Sequence, residues 1–414
     1  MNEIPRDITL PEPGSTTARR TLGRFLRQTL GDLMTLPPGR FHSPVFDGFS
    51  DVRAVIERLL RERETGAVFS MLRRPTHSGL VRCLHRELWG EGDVKKLDGW
   101  LTELTALLAL ELARAGTLPP DGLRLTERPA RLLSLALRVE LRLDPRWRIG
   151  VRPGRLVLEG DGRTVELDLD GLDVIRGLPE GVTLTRPYHQ IDRDLLLAES
   201  DNNPLADFEA HPEKSGNPID LAGRDASDWA RALAASLQLV EDHLPELADE
   251  IRLVMQTIIP VGYFADRHLS ASYAEVVGTA YLSLHPDPMT MTEALVHEFS
   301  HNKLNALWLS DPLLENGFSP LFTSPVRPDP RPLHGILLAV HAFVPVARLY
   351  ERLLETGHEL SRTPSFAARL RKIVAGNHDG LATLLENGVP TAVGRGVLAE
   401  LERWDRHFTA RFSS

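Results

Sequence analysis

The chain has 414 residues, 42% of them hydrophobic and 25% charged, which is ordinary for a folded globular protein and ample for two domains. Its 48 basic and 57 acidic side chains leave a formal charge of −9, so nothing pulls it generally toward nucleic acid or an anionic membrane. The single cysteine, Cys83, excludes an intramolecular disulfide and a cysteine-based zinc cluster. The amino terminus has no apolar core of a signal peptide, and no apolar run approaches the ~20 residues of a membrane span, so the cytoplasm is the expected location.

Residues 1–145 read as helical. Asp51–Arg63 carries Val52, Val55, Ile56, Leu59 and Leu60 on one face behind an Asp cap, and Asp93–Ala115 and Pro129–Leu143 repeat the leucine-rich pattern. The texture then changes. Arg155–Glu159 and Arg163–Leu169 alternate around Gly160-Asp161-Gly162, the pattern of a β-hairpin. Residues 183–220 are polar and broken by Pro204, Pro212 and Pro218, a long loop in which His211 reads as a solvated histidine. Ser227–Leu244 returns to helix, and Ile258–Phe264 and Ser272–Leu284 read as strands. After a His285-Pro-Asp-Pro turn, Met291–Trp308 is a helix with apolar Ala294, Leu295, Phe299 and Leu304. In this order Tyr273–Leu284 is expected to be an edge strand beside that helix, placed to pair with an extended peptide. Leu333–Leu354 and the stretch Pro364–Phe412 supply the remaining helices. The expectation is a mostly helical α+β fold with a small sheet beside a metalloprotease-like helix. Its expected divisions are a helical region 1–145, a catalytic domain 146–360 and C-terminal helices 361–414.

The chemistry concentrates in His297-Glu298-Phe299-Ser300-His301. Residues four apart share a helix face, so His297 and His301 can direct two imidazoles at one metal ion, with Glu298 beside it as proton acceptor, ligand clamp or orienting partner. A catalytic metal needs a third protein ligand. Leu304 and Leu307 occupy positions where one zinc-peptidase layout needs Gly and His, and Glu315 and Glu351 fit the thermolysin-like spacing poorly. His341, among Leu337, Leu338, Val340, Ala342 and Phe343, is the leading candidate, since an unpartnered histidine there would be costly; His334, Glu315 and Glu351 stay open as alternatives.

The run Val296-His-Glu-Phe-Ser-His-Asn-Lys-Leu-Asn-Ala-Leu307, with Ser324-Pro-Val-Arg-Pro-Asp-Pro-Arg-Pro-Leu-His-Gly335, resembles the HExxH-motif proteins encoded beside ribosomal-peptide natural product clusters. Asn203-Pro-Leu-Ala and His211-Pro-Glu-Lys-Ser-Gly-Asn217 are similar to the same family, and the resemblance spans roughly residues 175–360. It implies iron(II)- and 2-oxoglutarate-dependent hydroxylation of a peptide β-carbon, with a ribosomally synthesised precursor peptide as partner and neither nucleic acid nor membrane. His297 and His301 carry over as metal ligands; His341 stands a position or two from where relatives carry a histidine. A cosubstrate carboxylate suits a planar guanidinium, for which Arg327 and Arg331 in the Pro-rich loop are candidates, while Lys303 reads as a solvated lysine. The alternatives are a zinc peptidase in which Glu298 activates water, and a non-catalytic peptide-binding module.

Overall fold

A computed structural model describes residues 6–88, 93–172, 177–206, 216–323 and 329–412. The chain begins with five helices, α1 (Thr17–Met34), α2 (Ser43–Arg61), α3 (Thr65–Leu72), α4 (Pro75–Leu88) and α5 (Val94–Arg114). Helix α2 starts well before Asp51, because Pro44 presets its first turn and Phe46 and Phe49 extend the buried face of Val52, Val55, Ile56 and Leu59. Helix α5 starts where the sequence indicates, with the Asp93 carboxylate accepting the Lys95 amide.

Seven strands follow: β1 (Leu123–Arg124), β2 (Arg131–Ser134), β3 (Val139–Leu143), β4 (Arg148–Arg152), β5 (Arg155–Gly160), β6 (Arg163–Asp168) and β7 (Val182–Thr185). The helix expected over Pro129–Leu143 is therefore a hairpin. Its turn places Arg138 in the left-handed region (φ 56°), and β7 pairs along β3, so tertiary pairing overrides leucine's helical preference. The β5–β6 hairpin is present as read, with Asp161 and Gly162 both at positive φ in its two-residue turn.

The rest of the chain comprises β8 (Tyr188–Asp192), β9 (Leu195–Ala198), α6 (Ala226–His243), α7 (Pro245–Val254), β10 (Thr257–Tyr263), β11 (Ser270–Ala271), β12 (Thr279–Leu284), α8 (Pro288–Trp308), β13 (Leu321–Phe322), β14 (Arg331–Pro332), α9 (Leu333–Glu355), α10 (Pro364–Asn387) and α11 (Ala392–Phe412). The fold is thus α+β and mostly helical. A five-stranded sheet has the order β11-β12-β10-β9-β8, with β10 parallel to both its neighbours. Strand β12 is shorter than expected, fully buried, and not the edge. Residues 270–271 pair antiparallel with Leu282 and Tyr281 and occupy that place instead.

Two compact units emerge, one of residues 1–25, 190–197 and 220–414, the other of residues 26–189 and 198–219. Their limits fall elsewhere than residues 145 and 360, and the C-terminal helices belong to the same unit as α8. Within that unit α8 packs on α9, α6, α7 and β12, and α9 packs in turn on α10 and α11. Helix α9 is long and apolar enough to cross a membrane, but 72% of its most apolar window is buried in the protein, as in a core helix.

A short segment near the start of the chain is sewn into this core. Ile8, Thr9 and Leu10 are buried, and the Glu400 carboxylate on α11 accepts the amides of Thr9 and Leu10 at 3.0–3.1 Å. Lys303 on α8 is also buried, its Nζ 2.6 Å from Glu250 Oε2 and 3.4 Å from the Thr9 carbonyl. The expectation of a solvated Lys303 is corrected: the helix face that carries it points into the protein.

Candidate metal centre

Helix α8 starts on a firm cap. Asp287 accepts the Thr290 amide and Pro288 presets the first turn. Fifteen of its residues are buried; Pro288, Thr290, Glu293, His297, His301 and Trp308 are those that reach the surface. Both motif histidines therefore lie on the one open stripe of an otherwise enclosed helix.

His297, Glu298 and His301 each offer a ligand atom within 4.8 Å of the other two, the one such cluster among the described residues. Glu298 is 2% exposed, with Oε1 accepting from Ser270 Oγ at 2.6 Å and Oε2 3.5 Å from His301 Nδ1. A carboxylate against Nδ1 leaves Nε2 of His301 as the lone-pair donor, the usual way a metal-binding histidine is oriented. His301 Nε2 and His297 Nδ1 are buried and have no hydrogen-bond partner among the described residues. Burial, reinforced by His301, pushes His297 down to about 3, so it stands neutral and ready to bind a cation. Burial would raise Glu298, but the hydrogen bond and charge of His301, with His297 and Ser270, hold it below the usual carboxylate range. Orphaned nitrogens on two imidazoles, a neutral His297 ring and a buried carboxylate with its Oε2 unpartnered fit a divalent transition metal such as iron(II) or zinc.

His341 is not in this cluster. It is fully buried, its Nδ1 is 3.0 Å from Thr9 Oγ1, and burial followed by the charges of Lys303 and His301 holds it well below its ordinary value. His334 packs against Trp308 (ring centroids 4.9 Å apart) and Phe318 (5.1 Å). Glu315 is an exposed loop residue, and Glu351 is fully buried among Arg348, His407 and Arg411. Arg331 lies 2.9 Å from Asp329, away from the cavity beside His297, while Arg327 and His211 fall outside the described residues.

That cavity, of about 580 Å³, is walled by His297, Phe343, His268, Ser270, Glu293 and Arg369 among others. The Phe343 ring sits 4.7 Å from the His297 ring, and the Arg369 guanidinium carbon lies 5.6 Å from the Phe343 ring centroid. Arg369 grips Glu293 through Nε and Nη2 (3.0 and 2.6 Å), and Tyr350 donates to Glu293 as well. Sequence reasoning missed these residues. Glu293, four before His297, was the one legible from helical spacing; Ser270, Phe343 and Arg369 come from other elements and keep no fixed distance from the motif in the chain.

No protein-family model matches this chain, and no curated protein matches it.

Proposed function

We propose that this protein is an iron(II)- and 2-oxoglutarate-dependent oxygenase that hydroxylates a side-chain β-carbon of a ribosomally made precursor peptide. The observation that carries the reading is the engagement of Glu298. With Oε1 accepting from Ser270 and Oε2 3.5 Å from His301 Nδ1 without a hydrogen bond, we read it as placed to orient that ring, whereas a zinc peptidase needs this carboxylate to take a proton from the attacking water. The resemblance of Val296–Leu307 to HExxH peptide-modifying proteins supplies the substrate class. Iron with 2-oxoglutarate and dioxygen, when bound, provides the oxidising power for C–H cleavage.

In this reading His297 and His301 hold the metal, and Glu298 fixes the His301 ring. Phe343 walls the cavity and keeps water from one side of His297, while Arg369 places a cation within it. A cavity of about 580 Å³ has room for a cosubstrate and a reacting side chain together. The test is anaerobic reconstitution with Fe(II), then measurement of 2-oxoglutarate-dependent succinate release with and without candidate precursor peptide. Peptide cleavage without oxygen or 2-oxoglutarate, abolished in Glu298→Gln, would overturn the reading in favour of the zinc peptidase.

A further inference from the structure

The cavity beside His297 holds a cation that the motif helix does not supply. Arg369 comes from α10, and Ser365 stands one turn before it on the same helix, so the guanidinium and the hydroxyl face the same space. Both line the cavity, as do His297 and Phe343. The Phe343 ring is common to the two ends, its centroid 4.7 Å from that of His297 and 5.6 Å from the Arg369 guanidinium carbon. Those two distances cap the separation of imidazole and guanidinium. Arg369 is also held in place, because Glu293 accepts from its Nε at 3.0 Å and its Nη2 at 2.6 Å. A guanidinium carries five N–H donors in a fixed fork, so the two spent on Glu293 leave others for a second carboxylate. Its side chain is 38% exposed, open enough for such a carboxylate to reach it. Arg331, the guanidinium expected from the loop before α9, pairs with Asp329 and is no part of this wall.

We propose that Arg369, seconded by Ser365, receives the distal carboxylate of a five-carbon 2-oxo diacid whose other end reaches the metal site of His297 and His301. The proposal rests on the oxygenase reading and adds to it the residues that select the cosubstrate. The reach is adequate. A metal–nitrogen bond of ~2 Å, a carbon chain spanning roughly 5 Å and a charge-assisted hydrogen bond of ~2.8 Å are together long enough to join the imidazole to the guanidinium. A planar guanidinium with a hydroxyl beside it matches a carboxylate in shape as well as charge. A 2-oxo monoacid such as 2-oxobutyrate has the same metal-binding end and no group for Arg369. Preference for the diacid over the monoacid is therefore the property that these two side chains confer.

The test measures binding and not turnover. The full chain is loaded with Fe(II) under argon and titrated in a calorimeter with 2-oxoglutarate and, separately, with 2-oxobutyrate. The wild type is expected to bind the diacid roughly ten- to hundredfold more tightly, the worth of one charge-assisted contact. Arg369→Gln should close that gap and leave the affinity for 2-oxobutyrate unchanged, and Arg369→Lys should recover part of it. Because Arg369→Gln strands Glu293, the double variant Glu293→Gln/Arg369→Gln is run beside it and should lose the preference equally. Ser365→Ala, at an exposed position where folding is not at risk, should narrow the gap several-fold. A gap that survives Arg369→Gln overturns the inference and leaves the oxygenase reading standing; one that survives Ser365→Ala removes the hydroxyl from it. Equal loss of both acids in the Arg369 variants also overturns it, since Arg369 would then only support the metal site. A wild type that binds neither acid removes the inference and the oxygenase reading together.

Discussion

Ser270 Oγ donates to Glu298 Oε1 at 2.6 Å, tying the motif carboxylate to the edge of the sheet while its other oxygen faces His301. Two elements thus hold the carboxylate beside that imidazole. Losing such an orienting partner typically costs ~10–100-fold in metal affinity. Glu298→Gln is expected to weaken metal retention by that amount and to keep appreciable 2-oxoglutarate turnover once Fe(II) is saturating. A general-base role would instead cost ~10²–10⁴-fold in rate at any metal concentration. Titrating Fe(II) against succinate release in the variant separates the two.

His297→Ala and His301→Ala should each abolish stoichiometric metal binding, because the orphaned nitrogens of these rings have no replacement in the cluster. Elemental analysis of dialysed protein is the measurement, and wild-type metal content in both variants would remove the site.

His341→Ala should act on stability. It opens a cavity at a fully buried position and strands the Thr9 hydroxyl, an expected loss of about 2–4 kcal/mol in chemical denaturation. Metal content measured well below the unfolding transition should stay near wild type. Metal lost with stability unchanged would instead make His341 a ligand.

The Lys303–Glu250 pair gives a sharper contrast. Removing one member of a buried pair typically costs ~3–5 kcal/mol by leaving the other charge uncompensated, whereas replacing both can be near neutral. Lys303→Met alone should therefore destabilise strongly, and adding Glu250→Gln should recover most of the loss. Additive losses in urea denaturation would show that the pair is not coupled.

Burial pushes the Glu400 carboxyl up from 4.5 to about 7, against the opposing hydrogen bonds from the Leu10 and Thr9 amides. The folded state then holds this proton more tightly than the unfolded state. Its contribution is complete below pH 4.5 and is lost as the pH rises to about 7. Glu400→Gln, which stays neutral, should gain on the wild type across that window by up to roughly 3 kcal/mol. Melting both proteins from pH 4 to 8 checks this; a pH-independent difference would mean that Glu400 does not titrate there.

What could be read from the chain followed local rules. The Gly160-Asp161-Gly162 hairpin and the motif helix are set by turn and cap chemistry within a few residues, and both were legible, although the helix starts at Pro288 behind an Asp287 cap, three residues before the expected Met291. Pro129–Leu143 was not, because its leucines satisfy helical and strand patterns alike and the choice fell to pairing with Val182–Thr185, forty residues on. Ser272–Gly278 was read as strand from its Tyr and Val content, yet Gly278 at φ 104° opens the backbone just before β12. In the site, His297, Glu298 and His301 announce themselves by spacing. The companions Ser270, Phe343 and Arg369 arrive from a strand and two helices that only the folded chain brings together.

The hydrogen bonds from the Thr9 and Leu10 amides to Glu400 join residues 391 and 390 positions apart. Helix α8, whose Lys303 touches the same segment, is therefore expected to complete its packing there only after α11 has emerged. Such a long loop closes slowly, so α8, which carries His297 and His301, is expected to stay loosely held until α11 has been made. In the proposed reading, metal capture by His297 and His301 would follow that closure. Ribosome-arrested chains ending before residue 392 should stay sensitive to protease within α8, with released full-length protein becoming resistant; equal resistance in both would contradict this order of events.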